Sequence, residues 1–411
     1  MKTTLIAAAV AAAVAAAGAT AQATTLWDKD GTSFGIGGRI QAAYFSKDSN
    51  LGNPSSGDGT LMGSGRLNMS GRTRLTDYMD AFAFIEWDMA DGDLFTNFRT
   101  RYNWVGLDFH EYGQIKAGMY EDAFYYVQRP VDVFIYYGTV ELASKDDRRK
   151  GQFMYTWQGS GVDVVVSYQT AKDGNTVDGA FWGRQSSSDG GSLSGSESLN
   201  MEQGFAVGLG YTTPDVVFGP ITVRVGYGYV DFGSHVYDSG LGQNVIYGSV
   251  ADGTAVSYDS YSQWGVTLAW GGPNLTGANK ACDGPYIAFM YQVRSFDFTG
   301  AVDVSALHAT ASGTADSYDV TGMAFVIGYG FDNGIGIYTG YEYHAVEWDG
   351  TNLEAEANAI PILLNYQVTP HFRTWIEARI DIGTHDESNN VQYPHSQYAA
   401  NVVSVGARFL F

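Results

Sequence analysis

Gly65-Arg66-Leu67-Asn68-Met69-Ser70-Gly71-Arg72-Thr73-Arg74-Leu75 is the stretch on which the fold turns. Arg66, Asn68, Ser70, Arg72 and Arg74 share one parity, and Leu67, Met69 and Leu75 share the other. Period two is the signature of a strand, whose successive side chains point to opposite faces. A soluble sandwich alternates too, but its polar face looks at bulk water and has little need of arginines at every second place. The stacking fits a wall with water on one side and an apolar phase on the other.

The pattern recurs along the chain. In Phe372 to Ile382, Arg373, Glu377, Arg379 and Asp381 oppose Phe372, Ile376, Ile380 and Ile382; in the last segment, Val403, Val405, Ala407, Phe409 and Phe411 oppose Ser404, Gly406 and Arg408. Alternating segments run over Phe34–Phe45, Gly65–Leu75, Met79–Met89, Arg99–Phe109, Gly113–Tyr120, Gly151–Gln158, Val162–Thr170 and Gly204–Thr212. The second half continues with Ile221–Phe232, Tyr258–Ala269, Tyr286–Phe296, Tyr318–Tyr329, Ile335–His344, Glu354–Tyr366, Phe372–Ile382 and Gln397–Phe411, an even total of sixteen. Thr76-Asp77-Tyr78, His110-Glu111-Tyr112 and Gly159-Ser160-Gly161 are tight connections, whereas Glu121–Lys150, Ala171–Gln203 and Gly233–Ser257 are long. Short turns at one end and long loops at the other, around strands of about ten residues, define an all-β fold: a 16-stranded antiparallel transmembrane β-barrel. A bilayer forbids unpaired backbone groups, so strands cross it only as a closed barrel. A barrel this wide is not filled by its own side chains and leaves an aqueous channel.

Composition agrees. Charged residues are 16% and glycine supplies 52 of 411 positions, while 45% hydrophobic content argues against disorder. The formal charge of −21 argues against nucleic acid, whose phosphates require clustered Lys and Arg. Lys2, the apolar run Leu5–Ala17 and the small residues ending Ala21-Gln22-Ala23 read as a signal peptide over 1–23, with a single barrel domain over 24–411. The run is shorter than the ~20 residues of a spanning helix. The lone Cys282 permits no intrachain disulfide, so the exported chain is held by hydrogen bonding and packing. Tyr44, Trp104, Tyr227, Tyr229 and Trp270 near strand ends suit aromatic girdles at the membrane interfaces.

Against this background the chain resembles the trimeric general porins of Gram-negative outer membranes. The resemblance rests on Leu26-Trp27-Asp28-Lys29-Asp30-Gly31, Gly38-Arg39-Ile40, Tyr44-Phe45-Ser46-Lys47, Gly65-Arg66-Leu67 with Gly71, Glu86-Trp87, Thr100-Arg101 with Val105-Gly106-Leu107, Gly113 with Ala117-Gly118, and the terminal Phe411. It implies an outer-membrane homotrimer among lipid and lipopolysaccharide that passes small hydrophilic solutes and ions and needs no cofactor or metal. It also implies a third external loop folded into the lumen, where loop carboxylates face a ladder of basic residues. Arg39, Arg66 and Arg101 match that ladder, and Arg148, ahead of its neighbours Arg149 and Lys150, is the candidate fourth member. The loop departs from the family's usual Pro-Glu-Phe-Gly-Gly and reads Pro130-Val131-Asp132-Val133-Phe134-Ile135-Tyr136-Tyr137-Gly138. Asp132 is its leading candidate carboxylate, followed by Asp122 and Glu121; Glu86 is a candidate lumen residue, and Arg72, Arg74 and Arg99 are secondary lumen charges. Phe411 and Phe409 form the candidate assembly signal. The acidic excess outside the ladder is expected to favour cations near the mouths.

Catalytic signals are weak. The seven histidines show no metal-binding spacing, and the one G-x-S-x-G match, Gly31–Gly35, leads into a strand instead of a strand-to-helix elbow. Glycine pairs such as Gly208-Leu209-Gly210 sit inside strands, where they suit close packing of a curved sheet. The readings carried beside a general pore are a sugar-type specific channel, for which Tyr125, Tyr126, Tyr136 and Tyr137 would supply stacking faces, a barrel enzyme, and an adhesin or phage-receptor role for the loops.

Overall fold

The computed structural model describes residues 24–46, 59–89, 98–138, 148–178, 196–233, 245–247, 255–271, 284–304, 312–352, 354–383, 385–386 and 401–411. The predicted signal peptide, Lys47 and Cys282 lie outside them. Sixteen wall strands are numbered here in chain order: β1 Thr32–Phe45, β2 Thr60–Thr76, β3 Met79–Met89, β4 Phe98–Asp108, β5 Gln114–Glu121, β6 Arg148–Gly159, β7 Val162–Gln169 and β8 Gln203–Val216. They continue as β9 Gly219–Asp231, β10 Ala255–Gly271, β11 Gly284–Asp303, β12 Thr314–Gly330, β13 Ile335–Trp348, β14 Glu354–Thr369, β15 Phe372–Asp381 and β16 Val402–Leu410. Each pairs antiparallel with its neighbours in sequence, and β16 pairs back onto β1 from Arg39↔Leu410 to Phe45↔Ser404. The sheet closes on itself, so the wall has no free edge to leave N–H and C=O groups unpaired in lipid. No helix among the described residues is long and apolar enough to cross a membrane; the crossing is made by strands.

The seam is fastened at its base. Gly38 N–H donates to Phe411 O at 2.8 Å and Phe411 N–H to Gly38 O at 3.1 Å. Below that point Thr24–Lys29 takes over as the partner of β1, joined to it by Asp30-Gly31, whose φ angles of 54° and 76° are those of a two-residue hairpin turn. The G-x-S-x-G match therefore begins in a hairpin turn.

Alternation is realised as wall polarity. Ile40, Leu61, Val105, Trp264, Leu268 and Phe289 are exposed on the outer face, while Asn68, Glu86, Gln263, Gln292, Arg294 and Glu377 are buried on the inner one. Tyr44 and Tyr227 are exposed outside, as girdle residues should be. Trp104 is not: it is buried at 7% exposure, against Phe82 and Phe84 with ring centroids 5.3 Å away in each case. It shares its parity with the buried Tyr102 and Asp108, so the girdle expectation is corrected for this residue. Several strands outrun their alternating segments. β11 spans 20 residues where eleven were expected and β2 starts five residues early, because strands continue as hairpins beyond the apolar band, where alternation is no longer required. The last strand begins at Val402; residues 397–400 lie outside the described set.

Candidate functional site

The third loop, L3, leaves β5 at Glu121 and turns into the barrel. Asp122 starts the turn by accepting the N–H of Phe124 at 2.9 Å, and a single helical turn, α1 (Tyr125–Gln128), follows. Wall side chains then capture the loop backbone strand by strand. Ser167 Oγ on β7 accepts from Ala123 N–H at 2.9 Å, Arg224 on β9 donates to Tyr126 O at 2.7 Å, and Thr267 on β10 donates to Val127 O at 2.6 Å. Tyr286 on β11 donates its hydroxyl to Pro130 O at 2.6 Å. Val127, Val131, Val133 and Phe134 are buried, so an apolar loop core lies inside the barrel.

The loop's far end is held by one carboxylate. Glu377 on β15 accepts the N–H groups of Ile135, Tyr136 and Tyr137 at 2.9 to 3.1 Å. Ionised acceptors make the stronger kind of hydrogen bond. Tyr136 crosses the seam, taking a hydrogen bond from Gln41 Nε2 on β1 at 2.6 Å and packing edge-on against Phe45 at 4.9 Å. L3 thus spans the lumen from β5 to β15, β16 and β1.

Beside its far end lies a belt of arginines. The register sets Arg39 opposite Arg66, Arg66 opposite Asp88 and Asp88 opposite Arg99, a row across β1 to β4. Two residues beyond Arg39, Gln41 faces Arg408 on β16, and Arg408 faces Arg373 on β15. Arg66 Nε donates to Asp88 at 2.8 Å, and Arg101 Nε donates to Glu86 at 3.1 Å. Arg101 reaches this row through a bulge in β4 opposite Glu86 and Trp87. The extra residue turns Arg101 to the inner face beside Tyr102, while Asn103 remains on the outer face with Val105. Strict alternation groups Arg101 with Asn103; the bulge separates them.

The other sequence candidates fall elsewhere. Arg72 is bound to Asp80 at 2.7 Å and Asp108 at 2.5 Å, nearer the short-turn end, and Arg74 is exposed there. Glu121 meets Arg148 at 3.8 Å and the Tyr102 hydroxyl, and Asp122 meets Arg149 at 3.2 Å, so both acids hold the root of L3. Arg149, passed over in favour of Arg148, is the deeply buried one, at 2% exposure. Asp132 accepts from the Tyr125 hydroxyl at 2.8 Å. The carboxylates directly on Arg66 and Arg101 come from β3 instead of the loop. Tyr126 and Tyr137 are packed into the wall at 7% and 4% exposure, and burial pushes the Tyr126 phenol well above its ordinary range. Sequence reasoning missed Glu377 as the loop anchor and Arg373 and Arg408 as belt members, although all three lie on a polar face; the partners of Glu377 and Arg408 are distant in sequence, and Arg373 gains its place only by facing Arg408.

A closed sixteen-stranded barrel with a polar lumen and an inward-folded third loop is a channel-type outer-membrane barrel. The chain matches the model of the Gram-negative porin family over residues 7–379, and it belongs to that family. It is 30% identical over 226 residues to outer membrane protein U of Vibrio vulnificus, covering 52% of this chain and 62% of that protein. It is 27% identical over 234 residues to the outer membrane porin OmpD of Salmonella typhimurium, covering 52% and 58%. Among solved structures, OmpF of Salmonella typhi superposes with a TM-score of 0.63 at 14% identity over 94% of this chain and all of that one. OmpT of Vibrio cholerae gives 0.63 at 14% identity over 95% and 100%.

Proposed function

We propose that this outer-membrane barrel is a homotrimeric diffusion channel for small hydrophilic solutes and ions, with its neck set between L3 and the arginine belt. The observation that carries the reading is the path of L3, tied to the wall strand by strand and latched by Glu377 beside Arg39, Arg66, Arg101, Arg373 and Arg408. Asp132, with the wall acids Glu86 and Asp88, supplies the opposing charge. Such charges across a narrow, low-dielectric neck produce a transverse field that orients dipolar solutes and slows apolar ones, which must exchange water for wall. Six arginines (39, 66, 99, 101, 373, 408) stand against Glu86, Asp88 and the loop-bound Glu377 in the belt. The neck therefore favours anions even though the whole chain carries −21, and the acidic excess acts at the mouths.

Swelling of liposomes containing the purified protein, with sugars of increasing size, tests the reading. A general channel gives rates that fall smoothly with size and do not saturate with concentration. Saturation at low sugar concentration would point to a specific channel, and an absence of swelling would remove the channel reading.

A further inference from the structure

Arg373 and Arg408 face each other directly across the β15–β16 ladder, at the seam where the barrel closes. Both are buried, at 0% and 5% exposure. Like charges set opposite each other on a sheet repel, and a buried charge needs a counter-charge or a full set of hydrogen bonds. Arg408 is partly provided for: its Nε donates to Gln41 Oε1 at 2.7 Å, and its guanidinium lies 5.4 Å from the Trp375 ring centre. Arg373 donates Nε to Gln367 at 2.8 Å, yet Nη1 and Nη2 have no acceptor among the described residues. Arg39 stands diagonally across from Arg408, since its neighbour two positions on, Gln41, is the residue paired with it. The Nε of Arg39 also lacks an acceptor. Asn365, diagonal to Arg373 through the Gln367↔Arg373 pair, is 0% exposed and has neither side-chain polar atom bonded.

No nearby carboxylate is free to answer these cations. Glu377, two positions from Trp375 on the same face, is taken by three backbone N–H groups of L3. Asp88 and Glu86 are engaged by Arg66 and Arg101. The seam therefore gathers three guanidinium groups with no free negative charge beside them; Arg373 and Arg39 keep donors without an acceptor, and the unbonded amide of Asn365 stands on the neighbouring strand β14. A planar guanidinium fork matches the paired oxygens of a carboxylate or phosphate.

We infer that Arg373, Arg408 and Arg39 form a binding subsite for a small oxyanion, of carboxylate or inorganic phosphate type, in the lumen next to the L3 tip. This rests on the lumen being a solute passage, since a soluble anion reaches the seam only through it. The subsite lies on the last two strands and the first, apart from the Arg66–Arg101 part of the belt, whose acids come from β3. Its expected action is to hold an entering anion briefly and thereby raise its local concentration at the neck.

Calorimetric titration of the folded full chain in detergent, once with inorganic phosphate and once with acetate, tests it. Both ions are expected to bind saturably and to compete. Arg373→Gln and Arg408→Gln should each weaken binding by about tenfold or more, as for loss of a charge-assisted bond. Arg373→Lys, which keeps the charge and loses the fork, provides a milder second variant should the Gln variants fail to fold, and should fall in between. Absence of saturable heat in the unaltered protein, or an Arg373 variant that titrates like it, overturns the inference. Currents across a planar bilayer separate the two proposals. Binding without conductance would sink the channel reading and leave the subsite standing, and conductance without binding would do the reverse.

Discussion

The inner wall is built in two ways. From β15 through the seam to β4 it carries arginines, acids and amides in rows. Across β9 to β13, toward the long-loop end, one hydrogen-bonded row reads Val230, Tyr261, Phe296, Tyr318 and Trp348. Phe296 and Tyr318 stack at 4.9 Å and 16°, and Tyr318 and Trp348 at 4.7 Å and 13°. Val177 and Met201, from the hairpin Lys172–Asp178 and Ser196–Met201 in the β7–β8 connection, pack into this second core. The same inward-facing positions thus serve opposite ends. One half keeps charges along its inner face, and the other gives the long-loop end of its inner face to a packed apolar core that holds a hairpin, with Gln263, Gln292 and Arg294 keeping the wall polar beside it. A wide barrel is narrowed by both.

If that division is right, substitutions in the two halves should separate stability from conduction. The largest effect is expected from Trp348→Ala, which removes one end of the aromatic row. It should cost about 3–5 kcal/mol, as for large-to-small core changes, read as a lower urea or thermal midpoint, while the reversal potential stays where it was. A shifted reversal potential with unchanged stability would break the comparison. Glu377→Ala comes next. It unlatches three N–H groups at the far end of L3, so single-channel conductance should rise and become noisier, and unchanged steps would mean that the loop is held by its other contacts alone.

Arg66→Gln removes one positive charge and leaves Asp88 with less compensation. The reversal potential in a salt gradient should move toward cations with the barrel still assembled; no movement would remove Arg66 from the neck. Tyr125→Phe is the mildest test. It deletes the hydrogen bond to Asp132, worth about 1 kcal/mol, and should change selectivity slightly through a freer Asp132 without altering the midpoint of unfolding measurably.

The strand plan was legible because alternation is local: each of the sixteen segments declares its two faces within about ten residues, and the turn Gly159-Ser160-Gly161 resolves into a hairpin with positive φ at Ser160 and Gly161. Other features were hidden for stated reasons. The bulge that turns Arg101 inward is one extra residue and leaves no compositional mark. Tyr261 and Trp264 lie on opposite faces of β10, one buried and one exposed, so aromatic content could not say which face met lipid. The latch between Glu377 and Ile135–Tyr137 joins positions about 240 residues apart, a contact that only the closed barrel creates. Asp122, Glu121 and Arg148 were legible as neighbours of L3, but their mutual pairing at its root needed the β5–β6 register.

The most direct test of the account is the reversal potential of the purified protein in a planar bilayer under a potassium chloride gradient. The arginine belt predicts stepwise conductance with a preference for chloride. A preference for potassium, or no conductance at all, would contradict the placement of the neck between L3 and that belt.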